Sequence, residues 1–316
     1  MVESTINATQ AVVTLDVPIQ GIVWGSIITV NMWAKSIGTG VVFLAAFLWF
    51  RHSKDDMPNL RWTMPIIAFV ALNVFLLFTL IDLHQPYRMI NIFLHPHWTS
   101  SITVGAWLAS IFLGIITLLM VIGVADAFPS LGGKKNKLAA IARNNSGLYE
   151  KIMPFLVFLA IPVTTYTAII MAQSSARELW QAPTEVMQMI WAALMAGSAA
   201  LIFISDAWSK EARKDLALVL TFSVFFSFAM YMSEYFFSFK SAEAETVLAY
   251  VHSGGAYNIE FWFGMTLGFI IPFFLGMSYM KSENMTLLKF AALSALVGLF
   301  FVKDVWLKIP QMLPLS

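Results

Sequence analysis

Eight long apolar blocks divide the chain, at about 21–50, 62–83, 100–128, 152–173, 185–208, 215–238, 257–280 and 286–307. Short polar links separate them. A helix that crosses the hydrocarbon core of a bilayer needs roughly 20 mostly apolar residues, and each block meets that length. Gly38, Gly40, Pro154, Pro162 and Pro272 fall inside blocks, where membrane helices tolerate them. With links this short, no amphipathic helix is left over to shield eight such segments from water. The pattern therefore predicts an all-α integral membrane protein with eight transmembrane helices in a single domain over 1–316.

Lys and Arg in the links orient the spans, because cytoplasmic loops carry the basic excess. Link one has Arg51, Lys54 and Arg61. Link three has Lys134, Lys135, Lys137, Arg143 and Lys151. Link five has Lys210, Arg213 and Lys214, and link seven has Lys281. The other three links hold only Arg88, Arg177 and Lys240. Both termini and links two, four and six are thus expected outside, in the periplasm if the membrane is a bacterial inner (cytoplasmic) membrane. Link two has helical spacing at Met89, Ile90, Phe93 and Leu94, which fits either a short interfacial helix or an ordered loop.

Composition narrows the classes. Hydrophobic residues make up 59%, charged residues 12%, and mean hydropathy is +0.75. Soluble domains carry about 25% charge, so lipid is the main solvent. A net charge of +1 gives no sign of a nucleic-acid partner. The absence of Cys excludes disulfides, thiolate zinc sites and Cys-held iron–sulfur clusters in this chain. The first residues, MVESTINATQ, have no basic stretch, so no cleavable signal peptide is expected.

Ionisable groups inside spans mark function by default. They are Lys35, Asp82, Asp126, Asp206, Glu234 and Lys303. Asn31 lies roughly 15 Å into the first span at 1.5 Å per residue, and Lys35 sits one turn deeper on the same face. Asn31, Asp82, His84, Thr165, Tyr166, Glu234 and Lys303 all fall in the outer half. Together they could hold a small polar headgroup whose tail lies in lipid. Asp126, Asp206 and Lys303 stand near span ends, where snorkelling or capping explains a charge. Lys35 and Glu234 are placed deep enough to point to function. None of the five histidines (His52, His84, His95, His97, His252) lies mid-span, so haem clamped in the bilayer has no ligands. No carboxylate or Cys stands beside His95 and His97 to complete a metal site. Motifs for P-loops, zinc proteases and nucleophile elbows are missing.

The stretch Asp82-Leu-His-Gln-Pro-Tyr-Arg-Met-Ile-Asn-Ile-Phe-Leu-His-Pro-His-Trp-Thr-Ser-Ser101, followed by Gly105-Ala-Trp107, resembles the signature of the NrfD/PsrC family. That signature reads D-L-x-x-P-x-R-x-x-N-x-x-L-H-P-x-x-T-S and then G-A-W. Looser agreement occurs at Trp24-Gly25, Gly38-Thr-Gly40, Tyr166-Thr-Ala168, Ser175-Ala-Arg177, Trp180, Phe261-Trp262, Gly268 and Pro272.

The resemblance implies two four-helix bundles with a quinone pocket near the outer face. It implies a membrane anchor that exchanges electrons with quinone, menaquinone or menaquinol in the first instance and ubiquinone otherwise. The implied partners are a periplasmic ferredoxin-like 4Fe-4S subunit and a molybdopterin catalytic subunit, as in polysulfide, thiosulfate and tetrathionate reductases. The expected quinone contacts are Asn31, Asp82, His84, Thr165 and Tyr166. Protons are expected to pass by Lys35, Asp82, His84 and Glu234, and Arg88, Lys303 and Asp206 are given structural or charge roles. Two positions depart from the family. Tyr or His is frequent near Asn31, and Asn does not carry protons at neutral pH. Arg is common near Lys303, and Lys lacks the bidentate fork. Two other readings stand beside this one: a proton-translocating subunit of a larger quinol-oxidising complex, and a transporter without redox work.

Overall fold

The computed structural model describes residues 21–83, 85–128, 147–174 and 177–312. Among these, regular structure is helical throughout. Eight helices are long and apolar enough to cross a membrane: α1 (Ser26–Arg51), α2 (Leu60–Asp82), α3 (Ser101–Ala127), α4 (Leu148–Ala172), α5 (Ala182–Ile202), α6 (Lys210–Phe236), α7 (Asn258–Ser282) and α8 (Met285–Lys308). They fit a multi-pass membrane protein. Large apolar side chains such as Phe50, Phe158, Phe222 and Phe274 stand exposed on the outside, as expected where the surrounding solvent is lipid rather than water.

Local chemistry sets several boundaries. Ser209 caps α6 by accepting from the Ala212 amide, and Asn284 caps α8 by accepting from Thr286. Pro183 sits in the first turn of α5, where its missing N–H is harmless. Inside α7 the turn Thr266–Ile270 is a π-helix, directly before Pro272. A proline within a helix clashes with the carbonyl four residues back, and the wider turn makes room for it. Ser294 of α8 donates to the Leu267 carbonyl of that turn at 2.5 Å. Link two is helical, as the spacing of its apolar residues allowed: Pro86–Ile90 forms a 3-10 turn and Asn91–Leu94 a short α-turn.

Packing follows chain order. α1 touches α2, α2 touches α3, α3 touches α4, and α4 returns to α1. In the second half α5 touches α6, α6 touches α7, α7 touches α8, and α8 returns to α5. The halves meet chiefly through α1 and α5, with α4–α5 and α1–α8 contacts beside them. At the α1–α5 crossing Gly40 faces Gly197. A Cβ on Gly40 would lie 1.9 Å from the Ala193 carbonyl oxygen, so only glycine lets the backbones approach this closely.

The two ends of the molecule differ. At the end holding links one, three, five and seven, Arg51 and His52 meet Asp215 at 2.6 and 2.7 Å. Lys210 and Lys214 both pair with Glu283 at 2.7 Å, and Lys289 pairs with Asp206. We call this the basic end. The opposite end is laced by polar contacts between distant segments. Gln311 accepts from the Val23 and Trp24 amides and donates to the Trp24 and Leu307 carbonyls. Arg177 donates to the Pro310 carbonyl at 2.6 Å, and its burial lowers the guanidinium pKa. Trp24 stacks on Trp180.

Candidate functional site

One face of α1 organises the polar interior of the first half. Asn31 and Lys35 lie one turn apart on that face and are buried, at 5% and 1% exposure. Asn31 directs its amide nitrogen to α2, donating to the Phe75 carbonyl at 2.9 Å and to the Thr79 hydroxyl. With both amide protons engaged, Oδ1 is what Asn31 can still offer a ligand. That atom accepts a hydrogen bond, so it suits a hydroxyl rather than a carbonyl.

Lys35 turns to α4 instead. Its ammonium donates to the Thr167 hydroxyl and stands 4.7 Å from the centre of the Tyr166 ring, a cation–π distance. The other side of that ring is defined by α3. A Cβ on Gly105 would lie 2.3 Å from Tyr166 Cδ2, so glycine is needed there for the ring to occupy its place. Gly105 opens the Gly-Ala-Trp motif, which thereby acquires a physical reason. Thr165 is buried, but its hydroxyl donates back to the Ile161 carbonyl of its own helix at 3.0 Å.

A second group of buried polar residues lies between α1, α5, α6 and α8. Glu185, Gln188, Tyr231, Lys303 and Trp306, with Met32, Met171, Met189 and Leu307, enclose a small gap of about 10 Å³. Trp306 donates to Glu185 Oε1 at 3.2 Å. Lys303 is 6% exposed; it does not snorkel, and faces an acid inside the protein. Next to it, Asp304 accepts from Thr29 at 2.7 Å and pairs with Lys308. Glu185, Gln188 and Asp304 were not singled out from the sequence. Glu185 is the third charge of this interior, beside Lys35 and Lys303, and reading the fifth span as 185–208 left it at an edge. Pro183 two residues earlier was the available signal, because proline marks the first turn of a helix.

The remaining expected residues lie at various depths. Asp82 ends α2, half-buried, about 10 Å along the helix from Phe75. His84 lies outside the described residues, as does the Asp126 side chain. Glu234 is near the surface rather than deep, and accepts from Lys240 of link six at 2.7 Å. Lys35 therefore bonds Thr167 while Glu234 bonds Lys240. Arg88 is exposed. Asp206 is at the basic end, paired with Lys289. Among the described residues no group of three or more His, Cys, Asp or Glu could hold a metal ion.

The fold is that of a multi-pass membrane protein whose buried Lys, Asp and Glu side chains, among the described residues, gather toward one end. The family model for polysulphide reductase NrfD matches residues 17–312, and the chain belongs to that family. No curated protein matches it in sequence. Membership implies a membrane subunit of a polysulfide-reductase-type oxidoreductase complex, of a kind that interacts with quinone and typically associates with iron–sulfur and molybdopterin subunits.

Proposed function

We propose that this chain is the quinol-oxidising membrane anchor of a respiratory molybdopterin oxidoreductase, acting on menaquinol and delivering electrons to a periplasmic iron–sulfur subunit. The family match supports the proposal, together with two buried polar residues one turn apart on α1, Asn31 reaching α2 and Lys35 reaching the Tyr166 ring of α4. In this reading the two rings of helix contacts are two four-helix bundles, the basic end is cytoplasmic, and both termini are periplasmic. The terminal substrate is of the polysulfide, thiosulfate or tetrathionate class.

The donor set fits a hydroquinone. Quinol oxidation sends two electrons to the partner subunit and two protons to acceptors in this chain or in water. Asn31 Oδ1 accepts from one ring hydroxyl. The Tyr166 hydroxyl binds the other ring oxygen, and its ring is held in place between Gly105 and Lys35. Lys35 fixes positive charge beside the ring, which opposes accumulation of protons there and favours the anion formed on deprotonation. Asp82, and His84 beside it in sequence, carry protons outward. Gln188, Glu185 and Lys303 form a second polar station on the far side of α1.

The rival assignment as a proton-translocating subunit needs ionisable groups through both halves of the membrane. The buried lysines and carboxylic acids among the described residues, Lys35, Glu185, Lys303 and Asp304, favour a one-sided site. The test is Tyr166→Phe in the assembled complex. Quinol-dependent turnover should fall by an order of magnitude or more, while turnover with an artificial donor to the catalytic subunit is unchanged. Equal losses in both assays, or none, would remove Tyr166 from the mechanism.

A further inference from the structure

A large cavity lies at the other end of the molecule, away from Asn31 and Tyr166. It has a volume of about 950 Å³ and opens among the basic-end termini of α1, α2, α3 and α4. This size is at the upper limit of ordinary ligand pockets. Its lining is graded. Toward the helix ends stand Lys54, Asp55, Arg61 and Glu150, with Trp49, Trp62 and Tyr149; toward the helix middles stand Ala46, Met153 and Gly123. Trp and Tyr at helix ends occupy the headgroup level of a bilayer, so the grading runs from headgroup to acyl depth.

Charge and hydrogen bonding identify the occupant. The lining carries the cations Lys54 and Arg61, the acids Asp55 and Glu150, and His52, which is paired with Asp215. An anionic headgroup would meet Asp55 and Glu150 unfavourably, and a neutral ring would gain nothing from charges of either sign. A zwitterion satisfies both signs. On one side, the Arg61 guanidinium stands 5.5 Å from the centre of the Tyr149 ring; its five N–H donors leave some for a phosphate even when others are engaged. On the other side, Glu150 pairs with the exposed Lys54, and Asp55 is exposed. Tyr149 is 2% exposed, packs edge-on against Trp49 at 4.8 Å, and its buried hydroxyl has no hydrogen-bond partner among the described residues. A buried hydroxyl left unpaired is destabilising, and a polar headgroup reaching the cavity floor would pair it.

We infer that this cavity binds one phospholipid with a phosphodiester and a primary ammonium in its headgroup, the phosphate toward Arg61 and Tyr149 and the ammonium toward Glu150 and Asp55. The site is independent of the quinone reading.

The test is native mass spectrometry of the full-length chain released from nanodiscs of equal phosphatidylethanolamine and phosphatidylglycerol. One phosphatidylethanolamine should remain bound in preference to phosphatidylglycerol. Retained phosphatidylethanolamine should fall about five-fold in Tyr149→Phe and about ten-fold or more in Arg61→Gln, from the loss of one neutral and one charge-assisted hydrogen bond to the phosphate, and the preference over phosphatidylglycerol should disappear in Glu150→Gln/Asp55→Asn. Equal retention of the two lipids by the wild type, or unchanged retention in Tyr149→Phe and Arg61→Gln variants that melt like the wild type, would overturn the assignment. If either variant fails to fold, the wild type in discs of equal phosphatidylethanolamine and phosphatidylcholine decides. The methylated headgroup has no N–H to give Glu150 and Asp55 and should be retained less; equal retention again overturns the assignment. Displacement of the lipid by menaquinone added to the discs would reassign the cavity to a redox ring.

Discussion

Gly105 and Tyr166 are in contact across α3 and α4, with no room for a methyl group between them. The placement of the phenol ring therefore depends on a missing side chain on another helix. Gly105→Ala should push the ring off its position while leaving its hydroxyl chemistry intact. We expect quinol-dependent turnover to fall about as far as in Tyr166→Phe, with about 1–3 kcal/mol lost in stability from overpacking. Quinol and artificial-donor assays run beside thermal melts would separate these effects. Wild-type quinol turnover in Gly105→Ala would show that ring position is not critical.

Asn31 joins α1 to α2 through its amide nitrogen. Asn31→Leu removes both bonds, leaving the Phe75 carbonyl still served by Thr79 at 2.9 Å. Stability should fall by about 1–3 kcal/mol, read by denaturation in detergent. Asn31→Asp restores the acceptor but not both donors, and should recover quinol turnover better than it recovers stability.

Glu185 and Lys303 share one buried cavity, so each moderates the burial of the other's charge. Removing one alone leaves an uncompensated charge in a low-dielectric interior, which is strongly destabilising. Glu185→Gln and Lys303→Met should each lower stability, and the double variant should lose less than the sum, with a coupling of about 0.5–3 kcal/mol. Additive losses in a double-mutant cycle would mean that the two groups do not sense one another.

At the basic end, hydrogen bonds and charge from Lys210 and Lys214 hold the Glu283 carboxyl down to about 2. A depressed carboxylate pKa stabilises the fold above the unfolded-state value of about 4.3, and the stabilisation is lost as pH falls through about 2. The melting-temperature difference between wild type and Glu283→Gln should be constant above about pH 5 and shrink toward zero at pH 2. It should also shrink in high salt, because the pair is exposed. A difference independent of pH would assign the effect of Glu283 to its backbone, which is left-handed at φ 54°.

Much of this architecture was legible in the sequence because lipid imposes a simple rule: about twenty apolar residues per crossing. The eight blocks and the shared face of Asn31 and Lys35 follow from that rule and from helical periodicity. Which helix each residue would meet was not legible. Lys35 bonds Thr167, Glu234 bonds Lys240, and Lys303 faces Glu185 instead of reaching for the interface. Each of these depends on the rotation of one helix against another, which a single chain of letters does not encode locally. Glu185 was hidden for a different reason: an acid at the edge of an apolar block reads as a boundary until the helix is seen to begin a turn earlier.

The glycine pair at residues 40 and 197 limits how this molecule can move. Transporters that alternate between inward- and outward-open states tilt one group of helices against another, and such tilting needs an interface that can slide or hinge. Here two main chains approach so closely at the crossing that no side chain fits between them. A tight crossing of this kind favours movement of side chains and ligand over tilting of one half against the other.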